Sequence, residues 1–195
     1  MTRADAPAPL AAVDPAAAPQ ARYQVRFDTG ADGLARISAG AQVVVWVDPL
    51  GTAEPPLDAI APADPGAEPA VLLAGFVDAA ATARWILDEQ ERLGRRAYLA
   101  VVAAGAGEGF AALDVLAAGA VVDALTTLGI DDTSPEAAVA SAAFAGLRRA
   151  VRHLSTASAA GRAASAAGRS HEELVQAATL DASDAVRVVR AGATD

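Results

Sequence analysis

Apolar and polar positions along the chain change period several times, and each change predicts an element. "YQVRF" (23–27) alternates apolar and polar, the period-two pattern of a half-buried strand, and "DTGADGLARISAG" after it places turn glycines around one short helical turn. "AQVVVWV" (41–47) is an unbroken run of mostly β-branched apolar residues, the signature of a strand covered on both faces of a parallel sheet. The pattern then collapses. Residues 48–70, "DPLGTAEPPLDAIAPADPGAEPA", are rich in proline and carboxylates and hold no period, which predicts a loop with at most a short turn of helix. So long a loop inside a compact domain asks for a reason.

"VLLAG" (71–75) reads as a short strand. In "FVDAAATARWILDEQERLG" the residues Phe76, Ala80, Ala83, Leu87 and Gln90 fall on one helical stripe that Gly94 ends. "RAYLAVVAAG" predicts a second central strand, and "AGEGFAALDVLAAGAVVDALTTLG" a loop feeding a helix that stops near Gly129. In "DDTSPEAAVASAAFAGLRRAVRHL" Thr133 or Ser134 can cap a helix with Pro135 in its first turn. "SHEELVQAATL" carries the capping box Ser170 to Glu173, and "AVRVV" (185–189) a last strand. "SAAGR" occurs twice at a seven-residue offset, a coincidence of an alanine-rich chain rather than a repeat architecture. Strands alternating with helices predict an α/β fold: a three-layer α/β/α sandwich with a mostly parallel or mixed sheet, in residues 21–195, behind a flexible N-terminal tail, 1–20.

Composition narrows the chemistry. Apolar residues make up 53% of the 195 but aromatics only 4%, so the core is built from small side chains in close contact. The net charge of −9 disfavours nucleic acid and anionic membrane surfaces, and Arg148, Arg149 and Arg152 read as a solvated helix face rather than a basic patch. All 15 basic residues are arginine, which excludes Schiff-base and P-loop lysines. The lack of cysteine excludes thiolate nucleophiles and cysteine-ligated metals. No apolar run approaches a membrane span and the first residues lack a signal core, so a soluble, cytoplasmic protein is expected.

Candidate chemistry is sparse. Asp48 ends the strongest strand, where open α/β sheets place ligands, but aspartate before proline is also ordinary turn chemistry. Gly105, Gly107 and Gly109 in "AGAGEG" follow a strand and open a helix, an arrangement able to present backbone N–H groups to phosphate or simply to make a tight connection. Phe110 occupies the third glycine position of a dinucleotide fingerprint, which rules that motif out. His153 and His171 read as surface residues, since no G-x-S-x-G elbow accompanies them. Asp114 and Asp123, nine apart on one helix, point in different directions, and Asp114 lies nearer the ligand-facing loop. Trp46 and Trp85 read as packing.

The blocks "YQVRFD", "VVVWVDPL", "VLLAGFVDAAATARWI", "VVAAGAGEGFAALDVLAAGAVVDAL", "SPEAAVASAAF", "AAGRAASAAG" and "AATLDAS" together resemble, in order, the 2-phosphosulfolactate phosphatase family, particularly its actinobacterial branch, from about Tyr23 to Gly192. The resemblance implies an α/β fold and Mg²⁺-dependent hydrolysis of a small phosphorylated acid. It places Asp48, Glu108 and Asp114 as catalytic, metal-facing carboxylates, and Thr52, Gly105, Gly107 and Arg162, with Arg84 as another candidate anchor, around the phosphate. The chain departs from the family pattern after Asp48, where "GTAEPP" leaves Thr52 in place of the arginine, serine and threonine residues that would hold phosphate. Asp78 stands in place of asparagine, Leu113 in place of glutamate, and Ala160 in place of serine. Two readings follow: a divergent Mg²⁺-dependent phosphatase with an eroded phosphate site, or an inactive paralogue serving as a binding or oligomerisation module. Homo-oligomerisation is open in both.

Overall fold

The computed structural model describes residues 19–62, 67–105 and 110–192. Five strands form one sheet in the order β1-β4-β2-β3-β5: β1 Val25–Thr29, β2 Val43–Val47, β3 Ala70–Ala74, β4 Leu99–Ala103 and β5 Arg187–Arg190. The first four are parallel, and β5 runs antiparallel along β3. The fold is α/β with a mixed sheet, as the alternation of strand and helix patterns predicted.

Two faces of unequal thickness follow from the pleat. Val43, Val45 and Val47 point to one side, with Leu72, Leu99 and Val101, against α2 (Ala79–Leu93), α3 (Ala112–Thr127) and α4 (Pro135–Leu147). Val44, Trp46, Val71, Ala100 and Val102 point to the other, where Leu34 and Ile37 of α1 (Gly30–Ile37) cover them. That explains the unbroken apolar run in β2, all five of whose residues are buried. α1 is too short to cover its face alone. The proline-rich segment supplies the rest: Ala53, Ala59 and Ile60 pack on this smaller core around a 3₁₀ turn at Leu57–Ala59, the Trp46 Nε1–H donates to the Ala53 carbonyl at 2.9 Å, and the Ala61 amide donates to Ser38 Oγ at 3.1 Å. The long loop is therefore a lid over the second sheet face.

Local chemistry sets the ends of the elements. Ser134 Oγ caps α4 by accepting from the Ala137 amide, with Pro135 opening the helix, so of the two candidate caps Ser134 is the one used. Both bonds of the Ser170–Glu173 capping box form at the start of α7 (His171–Ala177). Gly94 ends α2 in the left-handed region, φ +60°. Three details differ from the sequence pattern. α1 is eight residues rather than one turn. The buried face of α2 runs through Ala79, Ala83 and Ile86, while Phe76 precedes the helix and Ala80 and Leu87 are only half-buried, because the helix lies rotated against the small residues of α3. β1 is not half-polar: Arg26 is buried and donates to the carbonyls of Ile37 and Ala39, at 3.1 and 2.7 Å, and of Ala21, at 3.1 Å, tying the end of α1 and the incoming chain to the sheet edge. The alternation counted Arg26 as polar and therefore exposed; its partners are carbonyls that no local pattern reveals. The chain between α4 and α7 holds two short helices, α5 (Val151–Ala157) and α6 (Ala159–Ala166). No described helix is long and apolar enough to cross a membrane.

Candidate active site

Strand order determines where a ligand can enter. β1 leaves the sheet into α1 and β2 leaves into the lid loop, both on the thin face, whereas β4, which lies between them, leaves into α3 on the thick face. Connections diverging to opposite faces mark the carboxyl ends of these strands as the switch point, the place where open α/β sheets have their ligand crevice. Gly30 and Gly105, at the ends of the adjacent strands β1 and β4, both adopt positive φ (+68° and +67°), and a Cβ on Gly105 would lie 3.9 Å from the Gly30 nitrogen. The two backbones approach closely at the mouth of the crevice.

Asp48 closes β2 on its other side. Its side chain is 6% exposed and accepts five hydrogen bonds: Oδ1 from the amides of Leu50 and Gly51, Oδ2 from the amides of Thr52 and Ala53 and from the Thr52 hydroxyl, at 2.5–3.1 Å. Two carboxylate oxygens offer about four lone-pair positions. Asp48 is thus filled by its own loop, which it folds into a tight knot that packs on Trp46 through Ala53.

Asp114 lies close by, in the first turn of α3, and is 4% exposed. Its Oδ2 accepts the Gly105 amide at 3.0 Å. Burial, together with the charge of Asp48, pushes its pKa up to about 6, against the single hydrogen bond that favours the charged form. Of the predicted carboxylates, then, Asp48 and Asp114 come together. Glu108 and Gly107 lie outside the described residues.

The predicted phosphate contacts fare differently. The Thr52 amide and hydroxyl turn toward Asp48, and the Gly105 amide toward Asp114. Arg162 is exposed on α6, which packs on α5, and its guanidinium donates to the Ala157 carbonyl. Arg84 pairs with Asp184 at 2.8 Å. At the end of β1, Arg36 is bound bidentately by Asp28, both bonds at 2.9 Å. Each of these donors has a partner within the protein.

Two further carboxylates have partners that the sequence did not show: Asp78, noted only as a departure from the family pattern, and Asp181. Asp78 is 2% exposed; its Oδ1 accepts the Gly75 amide at 2.7 Å and its Oδ2 meets Arg187 Nε at 3.2 Å, fastening β5 beside β3. The acid that replaces asparagine here thus has a cationic partner 109 residues away. Asp181, with φ +51°, accepts the Ala80 amide at 2.9 Å and satisfies the N-terminus of α2 from outside that helix. Neither partner is visible from local spacing.

A divalent cation needs carboxylate oxygens that are free to turn toward it. Asp48 does not meet this condition, and among the described residues no three acidic or histidine side chains gather as a metal site. Asp48, with both oxygens turned to its own loop, thus does not present the free carboxylate that the resemblance implies, while Glu108, the remaining carboxylate of that set, lies outside the described residues.

The fold and its carboxylates together define the class: an α/β protein with two buried aspartates beside the topological switch of its sheet. The model of the 2-phosphosulpholactate phosphatase family matches residues 59–192, and the chain belongs to that family. The matched segment takes in Gly105, Asp114 and Arg162 and begins eleven residues after Asp48. A search of curated proteins finds no match.

Proposed function

We propose that the chain is a phosphomonoester hydrolase acting on a small phosphorylated acid of the 2-phosphosulfolactate type, with Asp114 as its proton-transfer group. Support comes first from Asp114 itself, a buried carboxyl at the switch-point crevice whose pKa is raised to about 6, within the range where one group can both donate and accept a proton near neutrality. In the reaction, a water oxygen bonds to phosphorus as the bond from phosphorus to the ester oxygen breaks. Protonated Asp114 passes its proton to the departing oxygen, and a proton from the attacking water restores it. The Gly105 N–H fixes Oδ2 and so orients the carboxyl. Asp48 acts through its loop and, after burial, through the charge that raises the pKa of Asp114; it is a positioning residue in this scheme. No step runs through Mg²⁺, whose involvement is decided by assay.

One set of observations favours the second reading, a non-catalytic binding module. A phosphomonoester dianion requires donors, and those of Thr52, Gly105 and Arg36 are all engaged within the protein. Phosphate release from 2-phosphosulfolactate, with and without added Mg²⁺, separates the two. The hydrolase reading expects turnover that Asp114→Asn abolishes, by about 10²-fold or more, and that Asp48→Asn reduces less. A folded wild-type protein with no turnover under either condition establishes the binding module instead. Turnover that rises with Mg²⁺ and depends on Asp48 as strongly as on Asp114 would return Asp48 to the metal.

A further inference from the structure

The three arginines read from sequence as a solvated face line a cleft. α4 gives way to α5 through a 3₁₀ turn at Arg148–Ala150, and the turn carries the adjacent Arg148 and Arg149 four and three residues before Arg152. Two adjoining hollows of about 380 and 390 Å³ open beside them and share Phe144, Arg148 and Leu180. The first reaches Arg84 on α2; the second is floored by Val151 and Ala178. We propose that this cleft is a second binding site, distinct from the strand-end crevice, for a small organic anion with an apolar body.

Charge carries the argument. In a protein of net charge −9 without lysine, four guanidinium groups border one cleft, and they are poorly neutralised. Arg148 reaches Asp123 only at 3.7 Å, with its guanidinium 5.4 Å from the centroid of the Phe144 ring. Among the described residues Arg149 and Arg152 make no ion pair; Arg84 alone has a close one, to the 96% exposed Asp184. Of the acids lining the cleft, Asp181 has one oxygen bonded to the Ala80 amide. The first turn of α5, which carries Arg152, contains no acidic residue to balance that charge. An anion would relieve this arrangement. Planar guanidinium forks suit carboxylate, sulfonate or phosphate groups, and the floor of Phe144, Val151 and Leu180 suits a hydrocarbon or ring. Each hollow has the size of a small-molecule site.

Naphthalene-2-sulfonate is a suitable probe, because it joins one anion to an apolar body and carries no ester to hydrolyse; neutral 2-naphthol controls for the ring. Titration of the full-length protein is expected to show saturable one-site binding that weakens with added salt and that Arg149→Gln/Arg152→Gln lowers by about tenfold or more, the scale of losing one or two charge-assisted bonds. Both arginines are exposed, and thermal melting verifies that the double variant is folded. Asp114→Asn should leave binding unchanged. Absence of saturable binding, equal affinity for 2-naphthol, or an affinity that responds to Asp114→Asn but not to the arginine pair would each overturn the proposal. The outcome is independent of phosphatase activity, so it stands or falls separately from the hydrolase reading.

Discussion

Asp48, just past the end of β2, and Asp114, in the first turn of α3, are neighbouring carboxylates, both almost fully buried, yet they are held in opposite ways. Asp48 receives five hydrogen bonds from the four residues of its own loop; Asp114 receives one from Gly105 and answers with a pKa near 6. A buried charge must be compensated or neutralised. The first aspartate is compensated and organises structure, while the second is left under-compensated and is ready to exchange a proton. Burial is common to both, so burial alone does not mark the chemical group; the supply of donors does.

The contrast is broken most directly at Asp48. Replacing it with alanine strands four backbone amides of a loop that lies over Trp46 and covers the thin face of the sheet. The expected cost is about 3–5 kcal/mol, the scale of removing one partner from a buried, hydrogen-bonded charge network. Urea denaturation of Asp48→Ala against wild type measures it. A loss under about 1 kcal/mol would mean that the loop holds without its aspartate, and that Asp48 is retained for a ligand instead.

How far the sequence revealed this depends on the range of the interactions. β2 and α7 were legible because their information is local: an apolar run five residues long in one, a serine and glutamate three apart in the other. Asp48 was correctly placed at a strand end, but its role was not legible, since the pattern "DPLGTA" marks a turn without showing how many amides fold back onto the carboxylate. The lid role of the proline-rich segment was hidden for a related reason. It depends on the shortness of α1, which leaves sheet surface for Ala53 and Ile60 to cover. The roles of Arg26, Asp78 and Asp181 were hidden because their partners are distant or are backbone groups. The arginine cluster was read as a solvated face and is exposed, but helical spacing does not show that hollows open beside it.

Asp114 sharpens the contrast through pH. Its folded-state pKa of about 6 lies above the ordinary 3.8, so the folded protein binds the proton more tightly than the unfolded chain does. Between these values stability falls as pH rises, and above pH 6 the full penalty remains, on the order of 2–3 kcal/mol for a shift of this size. Asparagine keeps an acceptor for the Gly105 amide and removes the charge. Asp114→Asn should therefore flatten the decline between about pH 4 and 6 and be more stable than wild type at pH 7.5, as followed by thermal melting across pH. If wild type and variant have parallel profiles, the proton is not held at Asp114 and the hydrolase reading loses its donor.

The finest test separates one of the five bonds to Asp48 from the other four. Thr52 is exposed, yet its hydroxyl reaches Oδ2 at 3.1 Å while its amide bonds the same oxygen. Valine keeps the β-branch and the amide and deletes only the hydroxyl; serine keeps the hydroxyl and deletes the methyl. If Thr52 serves the loop, Thr52→Val should lose about 0.5–1.5 kcal/mol, the net worth of one hydrogen bond to a charged group near solvent, and Thr52→Ser clearly less. Phosphatase assays of the same two variants give the opposing expectation. A hydroxyl that contacts substrate would lower turnover in Thr52→Val with stability unchanged, whereas a hydroxyl that completes the Asp48 knot lowers stability first and affects turnover only through the shape of the loop.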